Sequence, residues 1–360
     1  MRVLITGACG FVGSTLAREL VASGSVSRVV GIDSLVRPGA ETNRLVLRRL
    51  GVEMRHADLR APSDLEALPA VDVVVDAAAN SSVLAGVDGW TSSRQLLEHN
   101  LVGTLNVLEY CKRVGAGLIL LSTSRVYSIL PLAGLRVRDA GGAYEPDVTG
   151  GLPDGLGAEG VSEGFSTEPP ISLYGAAKLA SEKVALEYGP AFGFPVWIDR
   201  CGVLAGAGQF GRADQGIFSY WIHSWAQRRP LRYIGFRGTG LQVRDCLHPA
   251  DLVPLLEQQI RGPSEGRARV VNVSGGRRSA MSLLQLSRWC RERLGEHPVE
   301  ADAGVRAFDV PWLVLDSSLA RQEWGWAPRR STADILEEIL EHARQHPDWL
   351  EMSGDAQVGH

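Results

Sequence analysis

A tyrosine and a lysine lie four positions apart in the run Tyr174-Gly-Ala-Ala-Lys178. On a helix this spacing brings the two side chains to one face, about one turn apart. A phenol is a poor base at neutral pH because its pKa is near 10, but a nearby ammonium favours the phenolate. Arginine supplies 34 of the 37 basic residues, so a lysine at this position suggests a specific role. The pair predicts proton transfer at a substrate oxygen.

Three hydroxyl side chains, Ser122, Thr123 and Ser124, lie at the end of a strand predicted over residues 118–122. In open α/β sheets ligands bind at the carboxyl ends of the strands, so one of these hydroxyls could share a proton with Tyr174. A polar turn after a buried strand has the same composition without any chemistry. The run favours a catalytic hydroxyl only together with the other motifs.

A turn with the spacing Gly-x-x-Gly-x-x-Gly follows the strand predicted at residues 3–6 and opens directly into a helix. Glycines let such a turn adopt positive φ and bring backbone N–H groups close to a pyrophosphate at the positive end of the helix dipole. Any strand-to-helix turn can carry glycine, so the turn alone is a weak signal. We expect these residues of the turn to bind a dinucleotide: Gly7, Gly10, Phe11, Val12 and Gly13.

An aspartate strengthens this interpretation, because Asp33 ends the second predicted strand twenty residues after Gly13. An acid there accepts hydrogen bonds from the adenosine ribose hydroxyls and repels a 2′-phosphate, which favours NAD over NADP. Arg37 is near enough in sequence to weaken that preference. After the third predicted strand, Asp58 fits either an adenine contact or a helix cap.

Short β-branched apolar runs alternate with amphipathic stretches, the pattern of a parallel sheet covered by helices. Strands are predicted at residues 3–6, 28–32, 71–77, 118–122, 196–200, 231–235 and 270–273. Helices are predicted at residues 13–23, 42–50, 93–114 and 172–188, with a last one from residue 332. The fold class is α/β, a Rossmann-type doubly wound parallel sheet with a smaller mixed α/β substrate-binding domain. We place the Rossmann domain at residues 1–200, the mainly substrate-binding domain at 201–350 with some segments returning to the Rossmann core, and a tail at 351–360.

Residues 130–170 interrupt this pattern with many glycines and prolines and are interpreted as a long loop. Loops of this length inside compact domains are uncommon, and they are usually functional or disordered. We expect this loop to cover the binding site.

The composition excludes several classes of protein. With 45% hydrophobic and 22% charged residues among 360, the chain can bury a core and is neither disordered nor collagen-like. A formal net charge of −4 gives no sign of a nucleic-acid partner. Five scattered cysteines indicate neither a disulfide framework nor a zinc site and fit a reducing compartment. We find no targeting or membrane segment and expect no metal, because His342 and His346 lack the Glu of His-Glu-x-x-His.

Further motifs follow in order: Asn-x-x-Gly-Thr at residues 100–104, Arg-Asp-x-x-His at 244–248 and Arg-x-x-Asp-Val at 306–310. Together with the glycine turn, the strand-two acid and the Tyr-Lys pair, they resemble the extended short-chain dehydrogenase/reductase family. That family contains NAD-dependent nucleotide-sugar epimerases and dehydratases. The resemblance covers nearly the whole chain.

The resemblance implies roles for individual residues. It places the catalytic hydroxyl at Thr123, with Tyr174 and Lys178 completing the catalytic set. Besides the glycine turn and the Tyr-Lys pair, it implies cofactor contacts at Asp33, Asp58, Leu59, Ala77, Ala78, Ala79, Asn100, Cys201 and Val203. The implied substrate-binding residues are Asn80, Ser81, Arg125, Gln209, Phe210, Gln215, Arg244 and Arg306, the last two as a pyrophosphate clamp. A tightly retained NAD, a nucleotide-sugar substrate, a homodimer and a cytoplasmic location are also implied.

The residues after Thr123 separate the reactions of the family. The 4,6-dehydratases carry Asp-Glu there, whereas this chain has Ser124 and Arg125. The acid and the base that eliminate water are therefore missing, which disfavours dehydration.

Three features resemble one branch of the family, the CDP-paratose (CDP-tyvelose) 2-epimerases. They are the Thr-Ser-Arg run, the 46 residues between Tyr127 and Tyr174, and the run at residues 206–216, which contains Gln-Phe and Asp-Gln-Gly. The chain departs from the usual pattern at Ser128 and at residues 203–206. The resemblance favours a CDP-hexose as substrate.

The implied mechanism uses NAD as a resident catalyst. Tyr174 takes a proton from a sugar hydroxyl, Lys178 holds the ribose, and the ketone turns over before hydride returns to its other face. A nucleotide-sugar 4-epimerase or a reductase is the second hypothesis, and net oxidation of NAD(P)H would identify the reductase. A non-catalytic NAD-binding or RNA-binding Rossmann protein is the alternative of another class, and salt-dependent RNA binding without sugar turnover would identify it.

Overall fold

The computed structural model describes residues 1–87, 92–213, 215–262 and 266–354. The strands within them are β1 (Arg2–Thr6), β2 (Arg28–Asp33), β3 (Glu53–His56), β4 (Val73–Asp76), β5 (Gly117–Thr123), β6 (Val137–Asp139), β7 (Tyr144–Pro146), β8 (Val196–Cys201), β9 (Val203–Leu204), β10 (Leu231–Ile234), β11 (Val243–Arg244), β12 (Cys246–Leu247), β13 (Val270–Val273), β14 (Met281–Ser282), β15 (Val299–Asp302) and β16 (Trp312–Leu313). The helices are α1 (Phe11–Ser23), α2 (Glu41–Arg49), α3 (Pro62–Glu66), α4 (Ser93–Leu97), α5 (Gly103–Val114), α6 (Ile129–Ala133), α7 (Ser172–Phe192), α8 (Ile217–Ala226), α9 (Val253–Arg261), α10 (Leu283–Leu294), α11 (Ser318–Trp324), α12 (Thr332–Gln345) and α13 (Trp349–Met352).

Seven parallel strands form the central sheet in the order β3-β2-β1-β4-β5-β8-β13. The chain runs outward from β1 to β3 on one side and from β4 to β13 on the other, so the strand order reverses beside β1. Such a reversal opens a crevice at the carboxyl ends of the central strands. The central strands are mostly apolar because both faces of the sheet are covered, and all four residues of β4 are buried. The prediction of a Rossmann-type α/β fold is confirmed.

Helices pack on both faces of this sheet, because alternate residues of each strand point to opposite sides. One apolar cluster includes Leu16 and Leu20 of α1 together with Leu255 of α9. The cluster on the other face includes Leu108 of α5 and Ala185 of α7. These two layers fix the strand ends from which the candidate site is built.

The segments after β8 build most of a smaller mixed α/β region. Strands β14, β11 and β16 form one sheet, while β10 pairs with β15 and β9 pairs with β12. Helices α8, α10 and α12 share an apolar core in which Trp221 and Trp225 are buried. Strand β13 instead pairs with β8 in the central sheet, so the chain returns to the Rossmann core after residue 201.

Residues 131–170 do not cover the ligand crevice, so that expectation is wrong. They contain the end of α6, the β6–β7 hairpin and turns whose apolar side chains are buried among those of residues 310–315. Val161 forms an isolated bridge with Leu315, and its carbonyl accepts the side-chain amide of Asn272 at 2.9 Å. No residue from 131 to 170 lines the cleft described below. Scattered apolar side chains between the glycines bury this segment against the smaller region.

All five cysteines are buried and free. In the part of the chain that the structure describes, no helix has the length and apolar content needed to span a membrane. The same residues contain no group of three or more His, Cys, Asp or Glu that could hold a metal ion. The ring of His342 instead meets that of buried His223, with 3.3 Å between Nδ1 and Nε2.

Candidate active site

A cleft of about 360 Å³, within the range of small-molecule sites, lies at the carboxyl ends of the central strands. Of the residues proposed from the sequence, it is lined by Gly7, Gly10, Phe11, Val12, Gly13, Ala77, Ala79, Ser81, Thr123, Arg125, Tyr174, Cys201, Val203, Gln209, Phe210, Gln215, Arg244 and Arg306. The proposed residues outside this lining are Asp33, Asp58, Leu59, Ala78, Asn80, Asn100 and Lys178.

Thr123 and Tyr174 come together in this cleft. Thr123 ends β5, and its Oγ1 accepts the backbone N–H of Arg125 at 3.2 Å. Because that N–H occupies a lone pair of Oγ1, the hydroxyl proton remains available for the Tyr174 phenol. Burial raises the pKa of Tyr174 to about 12, whereas the hydrogen bond with Thr123 and the charge of Arg125 act to lower it. The phenol therefore needs cationic neighbours to work as a base.

Lys178 lies on the same helix as Tyr174. Its side chain is only 2% exposed, and burial lowers the pKa of its ammonium. The carboxylates of Asp76 and Glu182 act in the opposite sense and favour the charged form. The lysine therefore lies buried one helical turn beyond Tyr174 and does not line the cleft.

A buried network that the sequence analysis missed connects α7 to β5 and β8. Glu182, one turn beyond Lys178, accepts the Ser122 hydroxyl at 2.5 Å. Its other oxygen accepts Nη2 of Arg200 at 2.7 Å, and the two charged side chains are 1% and 7% exposed. Arg200 Nη1 also contacts the Tyr127 phenol at 3.3 Å. A charged residue inside the apolar β8 run was the available signal, because buried charges are rarely left unpaired.

The glycine turn packs closely against its own strand and against the end of β2. A Cβ on Gly13 would lie 2.2 Å from the carbonyl oxygen of Gly7, so only glycine lets α1 start this close to β1. Asp33 accepts the N–H of Cys9 at 2.9 Å and that of Leu35 at 2.8 Å. The carboxylate is thus fixed beside the turn, without lining the cleft.

Asn100 shapes the loop after β4 from a distance along the chain. It lies in a π turn, Glu98–Val102, between α4 and α5. Its side-chain amide donates to the carbonyl of Asn80 at 2.9 Å and accepts the N–H of Asn80 at 2.8 Å. Both residues therefore position this loop.

Thr6 fixes the start of the same loop. Its hydroxyl donates to buried Asp76 at 2.5 Å. The same oxygen accepts the N–H groups of Ala77 at 3.1 Å and Ala78 at 3.0 Å. The loop therefore leaves β4 in a defined direction across the cleft.

Asp58 is bound by a neighbour on its own loop. Its Oδ2 accepts Nη2 of Arg60 at 2.5 Å, and this pairing lowers the pKa of Asp58. The helix-cap alternative is wrong, because α3 begins after Ala61, which provides no side-chain cap. The carbonyl of Leu59 accepts the side-chain amide of Asn106 at 2.7 Å.

Three arginines and one carboxylate line another part of the cleft. Arg244 of β11 donates to Asp309 at 2.6 Å, and Arg125 contacts the Phe308 carbonyl at 3.4 Å. Burial lowers the pKa of Arg125 to about 10, and the charge of Arg244 adds to this effect. With Arg306, three guanidinium charges face one carboxylate, a local net charge of +2. Such a group can bind a diphosphate through forked hydrogen bonds.

Two of the proposed substrate residues at positions 206–216 are engaged by the protein itself. Gln209 donates to the Leu204 carbonyl at 2.7 Å. The Phe210 ring stacks on Trp349, with 5.2 Å between ring centroids. Asp214, from the same sequence run, lies outside the described residues.

A profile of the NAD dependent epimerase/dehydratase family matches residues 3–274. The chain belongs to this family. The match confirms the resemblance drawn from the motifs, and it identifies the chain as an NAD-dependent enzyme. The cleft at the strand ends is thus the candidate active site of a family epimerase/dehydratase.

Individual relatives in this family catalyse different reactions. The chain is 28% identical over 353 residues to CDP-paratose 2-epimerase of Salmonella typhi, covering 95% of this chain and 98% of that protein. It is 26% identical to UDP-glucose 4-epimerase of Corynebacterium glutamicum, covering 95% and 94% of the two chains. The solved structure of UDP-glucose 4-epimerase from Thermus thermophilus, a complex with NAD, matches with a TM-score of 0.73 at 24% identity, covering 96% and 99%. This last likeness shows a shared fold.

Proposed function

We propose that this enzyme inverts carbon 2 of a CDP-hexose through a transient ketone. One observation favours epimerisation over dehydration: among the described residues that line the cleft, Asp309 is the sole carboxylate, and Arg244 binds it at 2.6 Å. Elimination of water needs both an acid and a base beside the sugar. Epimerisation needs one proton acceptor, which Tyr174 provides. The similarity to CDP-paratose 2-epimerase supports carbon 2 and the cytidine nucleotide.

Tyr174 and Thr123 carry the proton in this proposal. The phenolate of Tyr174 takes the proton of the sugar hydroxyl, and the Thr123 hydroxyl stabilises the oxygen by a hydrogen bond. The guanidinium of Arg125 favours the phenolate electrostatically. After the ketone turns over in the cleft, Tyr174 returns the proton to the same oxygen.

The glycine turn and two residues that lie outside the cleft lining, Asp33 and Lys178, fit NAD. The space that a Cβ on Gly13 would fill is occupied by the backbone of the turn, whose N–H groups would hold the pyrophosphate. Asp33, fixed beside the turn, would bind the adenosine ribose, and Lys178 would bind the nicotinamide ribose. A bound NAD would supply the hydride acceptor, and later the hydride donor, for the sugar carbon.

The arginine group would bind the substrate diphosphate. Arg244 and Arg306 line the cleft, and the pairing of Arg244 with Asp309 holds its guanidinium in place. A diphosphate there neutralises the excess positive charge, while the sugar extends toward Tyr174. The unreacting part of the substrate thus orients the reacting carbon.

Proton NMR tests the proposal directly. The purified protein is incubated with CDP-, GDP- and UDP-hexoses without added NAD, and a new signal set for the carbon-2 epimer of a CDP-sugar is expected. Signals of a carbon-4 epimer would instead support a 4-epimerase reaction, the one for which the Corynebacterium glutamicum relative is named. Net oxidation of added NADH would identify a reductase. No conversion of any sugar, with or without NAD, would overturn an epimerase function.

The proposal includes a homodimer in a reducing compartment such as the cytoplasm. Leu97 of α4, Val102 of the π turn and Leu105 of α5 expose apolar side chains that a second copy could cover. The five cysteines are free and buried, as in proteins of reducing compartments. Sedimentation equilibrium tests the dimer, and a monomer at micromolar concentration would contradict it.

A further inference from the structure

One side of the cleft is formed by a wall segment, consisting of residues 206–213, 215 and 216. Several of its residues line the cleft, among them Gln209, Phe210 and Gln215. The segment lies between β9 and α8, in the smaller region of the chain. It is nevertheless hydrogen-bonded to loops that follow strands of the central sheet.

Arg37 makes two hydrogen bonds to this wall segment from the loop that follows β2. Its Nη1 donates to Oε1 of Gln215 at 2.7 Å, and its Nη2 donates to the carbonyl of Phe210 at 2.7 Å. The guanidinium also lies 5.6 Å from the centroid of the Phe210 ring. Two of its guanidinium donors therefore bind the wall segment.

Gln215 carries the connection to a second loop. While its Oε1 accepts from Arg37, its Nε2 donates to Oγ of Ser81, which follows β4. In the sheet, β2 and β4 are the two neighbours of β1. The amide of Gln215 therefore bridges the loops on either side of the glycine turn that follows β1.

The wall segment is anchored at other points as well. Phe210 is 3% exposed and shares an apolar cluster with Phe11 of the glycine turn and with Trp349. Nη2 of Arg306, one of the proposed diphosphate ligands, contacts the Ala213 carbonyl at 3.3 Å. Because these anchors remain when the Arg37 contacts are removed, the bridge can be tested without unfolding the segment.

We propose that Arg37, Gln215 and Ser81 form a latch that closes the wall segment over the glycine turn and keeps NAD bound between turnovers. The inference rests on the proposed placement of NAD in this cleft. An epimerase that returns its hydride has no net redox change, so loss of the reduced cofactor in mid-reaction would leave the enzyme inactive. Arg37 and Gln215 act here as positioning residues, because they hold the segment that covers the cofactor.

The rate of NAD release tests the latch. The NAD-loaded protein is diluted into buffer with an NAD scavenger, and retained NAD is measured after rapid desalting and acid extraction. Arg37→Gln and Gln215→Ala are expected to release NAD at least tenfold faster than the unchanged protein. Arg48→Gln is the matched control, because Arg48 is an exposed arginine of the following helix, and it should leave the rate unchanged.

A double variant separates the latch from a general structural effect. Because Arg37 and Gln215 share one hydrogen bond, the double variant Arg37→Gln with Gln215→Ala should accelerate NAD release by less than the product of the two single accelerations. An acceleration equal to that product would overturn the shared latch. Arg37→Lys keeps a positively charged donor but lacks the two guanidinium nitrogens that bind two acceptors at once. We expect an intermediate rate of NAD release from this variant.

The release measurement also distinguishes failure of the latch from failure of the proposed function. If the unchanged protein retains NAD and Arg37→Gln releases it at the same rate, the latch is wrong while the cofactor site stands. If the unchanged protein binds no NAD, both the latch and the proposed epimerase mechanism are overturned. Thermal unfolding of the NAD-free variants provides the folding control, and Gln215→Ala alone suffices where Arg37→Gln fails to fold.

Discussion

Gly175 lies against the carbonyl oxygen of Arg125, and a Cβ at Gly175 would be 2.2 Å from that oxygen. Through this contact, the first helical turn of α7 packs directly against the loop that follows β5. Tyr174 is the residue before Gly175, and Thr123 is the cap of the β5 turn. The absence of a side chain at one position therefore sets the spacing of the two proposed proton-transfer groups.

Replacing Gly175 with alanine should impair catalysis more than cofactor binding. The added methyl pushes α7 away from the β5 turn, and a displacement of about 1 Å can reduce kcat roughly 100-fold. Steady-state kinetics and the NAD content of the purified protein measure the two effects. Ala176→Ser is the control, because Ala176 is exposed on the same helix turn. A Gly175→Ala enzyme with the original kcat would contradict this role.

Removing the phenol of Tyr174 should abolish most turnover. Loss of a general base typically costs about 10²–10⁴-fold in rate, so Tyr174→Phe is expected to lower kcat by at least about 100-fold while NAD remains bound. Tyr188→Phe is the control on the same helix, since its phenol donates to Glu109 at 2.8 Å, away from the cleft. Turnover by Tyr174→Phe within tenfold of the original rate would exclude Tyr174 as the base.

The charge of Arg125 should set the pH dependence of the reaction. Its positive charge acts to lower the pKa of Tyr174, so a neutral side chain there raises the pKa of the phenol. The active form is the phenolate, and a higher pKa moves the acidic limb of the kcat profile to higher pH. We expect this shift in Arg125→Met. In Arg125→Lys, which keeps the positive charge, we expect the acidic limb to lie close to that of the unchanged enzyme. Identical acidic limbs in all three proteins would show that Arg125 does not influence the base.

The buried pair of Arg200 and Glu182 should matter more for stability than a surface pair. Arg200→Met leaves the carboxylate of Glu182 buried without its cation, and such a change costs about 3–5 kcal/mol of unfolding free energy. The exposed pair of Arg94 and Glu98 is the contrast, and Arg94→Gln should lower the unfolding free energy far less than Arg200→Met. Urea unfolding measures both values. Equal losses in the two variants would contradict a stabilising role of the buried network.

His223 should lower the free energy of unfolding in acid. Burial lowers its pKa to about 3, and the neighbouring charges of His342 and His346 act in the same direction. Between its unfolded pKa near 6.5 and this value, the unfolded chain binds a proton that the folded chain does not, so stability falls as pH falls. His223→Leu should reduce this slope by about 1.4 kcal/mol per pH unit between pH 6 and pH 4. Urea unfolding across that range measures it, with the exposed His56→Gln as control; an unchanged slope in His223→Leu would refute the prediction.

Local pattern predicted much of this molecule. The glycine turn before α1 depends on spacing within seven residues, and the Tyr174–Lys178 pair depends on one helical turn. Alternation of apolar runs with helices predicted the parallel sheet, because right-handed crossovers leave few other arrangements. These features could be predicted from the sequence because residues close together in the chain determine them.

Contacts between segments that are distant in the chain could not be predicted from local sequence. Arg37 and Gln215 are 178 positions apart, and only the packing of the smaller region onto the central sheet brings them together. The same packing buries residues 131–170 against residues 310–315. The packing of α7 on β8 pairs Glu182 with Arg200. Local sequence indicates which elements form and which residue types can do chemistry. Which side chains meet depends on the folded chain, because burial and hydrogen bonding across the fold select among partners that local spacing leaves equivalent.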